Sequence, residues 1–423
     1  MKKLLLILLL CILGIQTQAS HLMGGQITSK NIGGLTYEIT LTLYRDTLGI
    51  PMSATQIIAY TDSTGNYVNT FPSHTINYDS SLTTNIGNGV ERYVFKDTVT
   101  FPYVGKFRAE MENCCRNAAI LNLPNPSQNS LWLDVDITAD PSNSSPVFLN
   151  EPITVAQLNQ PFSYNPLPFD VDGDSLSWQL DVPMDYFTNT VGLPIPGYVL
   201  PPSDTLAPFS IDPLTGEITF IPIVVGNFQV SVKAIEWRNG IQIGYIRRDM
   251  QLLVVPSSNM PVNVQAGYSV QRNTTNPIYV NVGETLTFHL DAFNIDNGPV
   301  SVTTAGSALL NTTATSNSAA VSNNEIISTF NWTPTLNEVN DAPYYLSFRI
   351  GDYSAPYTFY NDYTFRIIVT NSTTGLNDVI SPKKEVFLVK TVDILGREMK
   401  EESSGFKIQY YSDGTTKKIY SVK

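Results

Sequence analysis

The sequence predicts an all-β chain of tandem, Ig-sized β-sandwiches, with a β domain in front of them and a small β module behind. Three observations predict it. Apolar residues alternate with polar ones in Tyr37-Glu38-Ile39-Thr40-Leu41-Thr42-Leu43, Phe228-Gln229-Val230-Ser231-Val232 and Tyr363-Thr364-Phe365-Arg366-Ile367-Ile368-Val369, the period of a half-buried strand, while no stretch repeats at helical spacing. Gly, Pro, Asn and Asp punctuate these runs as turn formers do. The chain also repeats itself: Gln160-Pro161-Phe162-Ser163-Tyr164 and Asp170 recur 124 positions later as Glu284-Thr285-Leu286-Thr287-Phe288 and Asn294. One Ig-like sandwich has about that length.

Taken in order, Met1-Lys2-Lys3, the apolar run Leu4 to Leu13 and the small-residue exit Thr17-Gln18-Ala19 read as a signal peptide over residues 1–19. Maturation then begins at Ser20. No other stretch approaches the roughly 20 apolar residues that cross a bilayer. Residues 20–140 form an N-terminal β-sandwich-like domain. Its notable motifs are His21-Leu22-Met23-Gly24-Gly25, Leu43-Tyr44-Arg45-Asp46 and Cys114-Cys115-Arg116-Asn117. With Cys11 in the leader, only the adjacent Cys114 and Cys115 remain, so no disulfide staples distant loops, and the domains stand on apolar burial. Whether this pair is oxidised stays open.

The first repeat occupies 146–256 and the second 261–371. Thr219-Phe220-Ile221-Pro222 answers Asn331-Trp332-Thr333-Pro334, and Gln251 to Val255 answers Phe365 to Val369, at offsets of 112 and 114. Loop lengths therefore differ while strand order holds. Asp140-Pro141-Ser142-Asn143-Ser144-Ser145-Pro146 and Pro256-Ser257-Ser258-Asn259-Met260-Pro261 read as semi-stiff joints between separate beads of a rod. Residues 380–423 close the chain as a strand-turn-strand module, with Gly396 and Asp413-Gly414 at its turns.

Three resemblances rest on these residues. Asp170-Val171-Asp172-Gly173-Asp174, Phe209-Ser210-Ile211-Asp212-Pro213-Leu214-Thr215-Gly216-Glu217-Ile218 and Phe220-Ile221-Pro222 resemble cadherin-like and Ig-like modules of bacterial surface proteins. The tail, through Asp393, Gly396, Arg397, Asp413, Gly414, Lys417 and Lys418, resembles the C-terminal sorting domain of type IX secretion cargo, which implies export and contact with secretion machinery. The N-terminal motifs resemble the leading domain of large secreted multi-repeat proteins carrying such tails.

The formal net charge is −12. From Ile380 on, nine Lys/Arg stand against six Asp/Glu, whereas the body without its leader carries 14 against 31. An acidic body argues against nucleic acid and against a basic membrane patch.

Asp170, Asp172 and Asp174 are the candidate metal ligands. Alternate carboxylates in a loop bent by Gly173 present several hard oxygens to one cation, as Ca²⁺ requires. The cadherin-like resemblance adds Asp140, Asn143, Asp212 and Glu236 to the shell. The same residues equally suit a solvated turn between strands. In the second repeat Asn294-Ile295-Asp296-Asn297-Gly298 keeps one of the three carboxylates, and no ion is expected there. The crowd Tyr344, Tyr345, Tyr353, Tyr357, Phe359, Tyr360 and Tyr363 offers rings for a sugar or protein partner, or simply core, while Trp132, Trp178, Trp237 and Trp332 read as core.

The histidines His21, His74 and His289 are scattered, and no His-Glu-x-x-His, Gly-x-Ser-x-Gly or phosphate-loop motif occurs. The expectation is a non-enzymatic, exported surface or secreted protein that adheres to cells, glycans or protein. A structural part of the surface or gliding apparatus is the alternative, and a cryptic glycan hydrolase a third reading. Neither composition nor motif names the ligand.

Overall fold

The computed structural model describes residues 22–68, 72–187, 191–266, 277–340, 342–354, 356–371, 388–392, 405–411 and 416–421. The chain is all-β, as its alternation predicts; among the described residues helix occurs only as three 3₁₀ turns, and no helix is long and apolar enough to cross a membrane. The described residues up to Asn371 form one compact unit, and those from Leu388 on form a second.

The N-terminal region supplies β1 (Leu22–Gly33), β2 (Thr36–Asp46), β3 (Thr55–Asp62), β4 (Ser73–Asn77), β5 (Thr84–Gly87), β6 (Val90–Thr100), β7 (Gly105–Asn113) and β8 (Leu131–Ala139). They make two ribbons, β4-β3-β7-β8 and β1-β2-β6-β5, whose apolar sets, among them Ile39, Leu41, Phe95, Ala109 and Leu133, meet in one core. Burial of that apolar area drives the packing.

The first repeat follows with β9 (Val147–Phe148), β10 (Val155–Gln157), β11 (Phe162–Tyr164), β12 (Pro168–Phe169), β13 (Ser175–Asp181), β14 (Met184–Phe187), β15 (Val191–Pro194), β16 (Ser210–Ile211), β17 (Ile218–Phe220), β18 (Gly226–Arg238) and β19 (Ile241–Val255). β19 joins the N-terminal region to this repeat. Along one edge it pairs with β18; along the other it pairs in succession with β8, β1 and β10. The two ribbons and the main sheet of the repeat are thereby one 12-stranded sheet, not separate beads. The sequence reading missed this because hydrogen-bond partners across a sheet edge leave no periodic mark.

The motif Leu22-Met23-Gly24-Gly25 has its explanation here. Gly24, at φ +139°, lies so close to β19 that a Cβ would stand 2.0 Å from the Asp249 carbonyl oxygen, and one on Gly25 would stand 2.4 Å from that of Thr42. Only glycine permits that approach. Residues 143–146 are buried as well: Ser145 N–H donates to Ser29 O (2.7 Å) and Ser29 N–H to Ser145 Oγ (2.8 Å). This stretch is packed structure rather than a free joint.

The second repeat holds β20 (Asn263–Ala266), β21 (Ile278–Asn281), β22 (Leu286–Phe293), β23 (Val300–Ala305), β24 (Thr315–Ser322), β25 (Glu325–Trp332), β26 (Tyr344–Ser354) and β27 (Tyr357–Thr370). Sheets β20-β22-β25-β24 and β21-β27-β26-β23 face each other over Phe288, Phe330, Trp332, Phe348 and Ile367. The internal repeat is visible in strand register. Phe162 lies opposite Phe220 in the first copy, and Leu286, 124 residues on, lies opposite Trp332, 112 residues on.

The two repeats are locked by a buried polar joint. Asp362, fully buried, accepts from Arg349 Nε (2.8 Å) and Nη2 (2.9 Å) and from the Asn165 backbone N–H (3.0 Å), while Ser163 N–H donates to Asn361 Oδ1 (2.8 Å). The second unit is a three-stranded sheet of β28 (Leu388–Val392), β29 (Gly405–Tyr411) and β30 (Thr416–Ser421). Lys417 and Lys418 lie on β30, opposite Gln409 and Ile408. Residues 1–19, Asp393, Gly396, Arg397, Asp413 and Gly414 lie outside the described residues.

Candidate metal centre

The Asp170–Asp174 loop links β12 to β13. Its bend needs a positive φ, which Gly173 supplies at +87°. Asp170 Oδ1 accepts the N–H groups of Asp172 (2.9 Å) and Asp174 (3.0 Å), winding the loop around that carboxylate. Its other oxygen, Oδ2, is buried and has no hydrogen-bond partner among the described residues.

Glu236 arrives from β18, in register with Leu176 of β13 and Gly244 of β19. It is 1% exposed, and among the described residues no N–H group donates to either carboxylate oxygen, whose polar neighbours are the acids Asp170 and Asp174. Gly244 makes room for it, since a Cβ there would stand 2.8 Å from Glu236 Oε2. One oxygen each of Asp170, Asp174 and Glu236 lie within 4.8 Å of one another.

Burial pushes Glu236 up to about 9, with the neighbouring Asp170 and Asp174 adding to it. Burial likewise pushes Asp170 up to about 6, against the pull of its backbone N–H bonds. Three carboxylates in a low-dielectric site call for a proton or a cation. Part of that need is met by Arg238, which donates Nε (2.8 Å) and Nη2 (2.5 Å) to Asp174 and Nη2 to Asn143 Oδ1 (2.7 Å).

Of the three aspartates read from the sequence, the structure brings Asp170 and Asp174 together and leaves Asp172 outside. Asp172 Oδ2 accepts the Ser144 N–H (2.5 Å) and ties the loop to the buried 143–146 stretch. From the wider shell only Glu236 joins. Asp140 caps Ser142, Asp212 caps the Leu214-Thr215 turn, and Asn143 binds Arg238. Arg238 escaped the sequence reading, where nothing in Glu236-Trp237-Arg238 marks which side chain turns toward a loop 64 residues away.

The second repeat is an internal control. Asn294 takes the place of Asp170 and keeps its turn, accepting the Asp296 N–H (2.8 Å); Asp352, paired with Val300 as Glu236 is with Leu176, takes the place of Glu236. There the Asn294 amide donates to Asp352 Oδ1 (2.9 Å). Where the second copy sets an amide against an acid, the first sets two acids face to face, and among the described residues no N–H group reaches Glu236.

A cleft of about 430 Å³ opens beside this group, between the two repeats; its walls include Asp170, Asp174, Trp178, Asn340, Tyr344 and Tyr345. Trp178 meets Tyr345 edge to face, centroids 6.4 Å apart. Trp178, read as core from its strand, is partly buried: it packs against the N-terminal core and also lines this cleft. Trp132 and Trp332 are core, at 3% and 1% exposure.

No family model and no curated protein matches the chain. Among solved structures it is similar to the complex of Dpr2 Ig1-Ig2 with DIP-Theta Ig1-Ig3, at 8% identity and TM-score 0.19, over 79% of this chain and 94% of that one. It is also similar to the surface layer protein SbsC, domains 1–6 (9%, TM-score 0.16, 91% of this chain and 61% of that one), and to the S-layer protein rSbsC(31-844) (11%, TM-score 0.17, 93% and 62%). Likenesses this distant carry no argument about function.

Proposed function

We propose that the chain is an exported, non-catalytic binding protein of the cell surface or the surroundings, and that Asp170, Asp174 and Glu236 hold Ca²⁺ beside the contact cleft. The observation that carries it is the Asp170–Glu236 pair of facing acids, with three buried oxygens to which no N–H group of the described residues donates, set beside an aromatic-walled opening between two sandwiches. Their donor set is all hard oxygen, which suits Ca²⁺ rather than a soft metal. Bound there, the ion supplies charge compensation and anchors the loop, while Gly244 and Asn143 keep Glu236 and Arg238 in place.

Adhesion to cells, glycans or protein is the role this supports. The test measures the full mature chain. Ca²⁺ should raise the melting temperature, by mass action on the folded state, in wild type but not in Glu236→Gln, and the protein should be retained on cells or immobilised glycans in Ca²⁺ and released by chelator. Absence of both effects removes the reading.

The leader and the sorting-like tail support export by a type IX-like route. Unchanged surface delivery after deletion of 390–423 would remove that part. A structural role in a surface assembly is the second reading, favoured by β24, an edge strand that is uncharged and exposed along most of its length and so lacks the usual protection against pairing with another copy. Concentration-dependent self-association in light scattering would select it.

A further inference from the structure

Resting on the Ca²⁺ reading of Asp170, Asp174 and Glu236, we propose that the cleft between the repeats binds a neutral pyranose unit of a polysaccharide, a vicinal pair of its hydroxyls completing the cation's shell.

The charge balance points to a neutral ligand. Three carboxylates, the Arg238 guanidinium and one divalent cation sum to zero, and Asp172 and Asp140 beside them keep the surroundings acidic, so the filled site has no surplus positive charge with which to recruit an anionic sugar. Its coordination is incomplete: Ca²⁺ takes roughly six to eight oxygens, yet Asp174 is shared with Arg238, and Asp170 Oδ1 with two backbone N–H groups. Glu236 closes the sheet side against Gly244, whereas Asp170 and Asp174 line the cleft. The missing oxygens therefore come from the cleft, where two adjacent hydroxyls on a ring form a ready chelate.

The walls fit the rest of such a ring. The hydroxyls of Tyr344 and Tyr345 already donate to the carbonyls of Glu338 (2.8 Å) and Leu214 (2.7 Å), which leaves the parts of their rings and of Trp178 that line the cleft, not those packed on the two cores, as the recognition surface. Aromatic faces stack on the C–H side of a sugar. Asn340 and Ser307 supply uncharged polar groups at the margin. The cleft's volume, about 430 Å³, falls in the roughly 300–1,000 Å³ range of small-ligand sites. The Arg349–Asp362–Asn165 joint holds its two walls in a preformed arrangement.

The experiment titrates the full mature chain with methyl α-D-mannopyranoside, methyl β-D-galactopyranoside and methyl β-D-glucopyranoside, in CaCl₂ and in EGTA, by calorimetry and tryptophan fluorescence. The Ca²⁺-dependent rise in melting temperature is followed in parallel. At least one glycoside should bind in Ca²⁺, and at least about tenfold more weakly in EGTA and in Glu236→Gln. Trp178→Leu should lose binding by a similar factor, as a central aromatic contact does, while keeping the Ca²⁺-dependent rise. Should Trp178→Leu fail to fold, Asn340→Trp, at an exposed position on the margin, should block the cleft with the rise intact. A Ca²⁺ rise with no glycoside bound overturns this proposal and leaves the cation reading standing. Glycoside binding that ignores EGTA overturns the hydroxyl bridge, and absence of any Ca²⁺ effect overturns both.

Discussion

Glu110 shows what one buried acid does to the whole chain. On β7 it lies between Ala59 of β3 and Asp134 of β8, 3% exposed, and its Oε2 has no hydrogen-bond partner among the described residues. Burial pushes its carboxyl up to about 8; Arg108 opposes the shift, and Asp134 and Asp136 add to it. Between the ordinary glutamate range and about 8 the unfolded chain is ionised at this position while the folded chain keeps its proton. Stability from this group is therefore complete at low pH and is lost as pH rises through about 8. Glu236 and Asp170 slope the same way. In EGTA, the free energy of unfolding should drop between about pH 5 and about pH 9 by on the order of 3 kcal/mol more in wild type than in Glu110→Gln. Equal slopes in urea titrations of the two proteins would show that Glu110 does not hold that proton. None of this was legible in Phe107-Arg108-Ala109-Glu110-Met111, where alternation assigns Glu110 to solvent. The outer face of the sheet is instead covered by the β14–β15 hairpin, with Tyr186 stacked on Trp132 and Gly192 against the Trp132 indole.

At the scale of an element, β19 explains why the periodic signal stops where it does. The sequence reading found its closing segment, Gln251 to Val255, but Tyr245-Ile246-Arg247-Arg248-Asp249 does not alternate, and all of these residues are buried. Both faces of the strand are covered, so each charge needs a partner from the chain. Arg247 pairs with Asp134 and Asp181; Arg248 donates to Gln26 Oε1, the Asn150 carbonyl and the Tyr164 hydroxyl; Asp249 accepts from Gln229 and from Arg116 Nη2 (2.8 Å). Arg116 belongs to the Cys114-Cys115-Arg116-Asn117 motif, so a motif picked out for its cysteines docks through its arginine. Removing one member of a buried pair strands the other charge, which costs about 3–5 kcal/mol. Arg116→Ala should lose that much in urea denaturation. A loss under about 1 kcal/mol would mean that Gln229 and water suffice for Asp249.

At the scale of the molecule, repetition was legible and fusion was not. Copies separated by 112 to 124 residues keep the same facing pairs because each copy's core selects them, and a core leaves its pattern in the chain. The merging of the N-terminal ribbons with the first repeat depends on glycine clearance at Gly24 and on charges at Arg116, Arg248 and Asp249, single residues without a period. The consequence can be tested with fragments. Residues 20–140 alone would expose the β1 and β8 edges that β19 covers, and would leave Gln26 and Arg116 without Arg248 and Asp249. That fragment should show no cooperative melt by circular dichroism. Residues 20–256 restore β19 and should melt in a single transition. The second repeat, 261–371, owns two complete four-stranded sheets with their core between them; its Arg349–Asp362 pair is internal, and it should fold by itself. A sharp, reversible transition for 20–140 would mean that its own core, from Ile39 to Leu133, outweighs the open edges, and that β19 is an attachment rather than part of the sandwich.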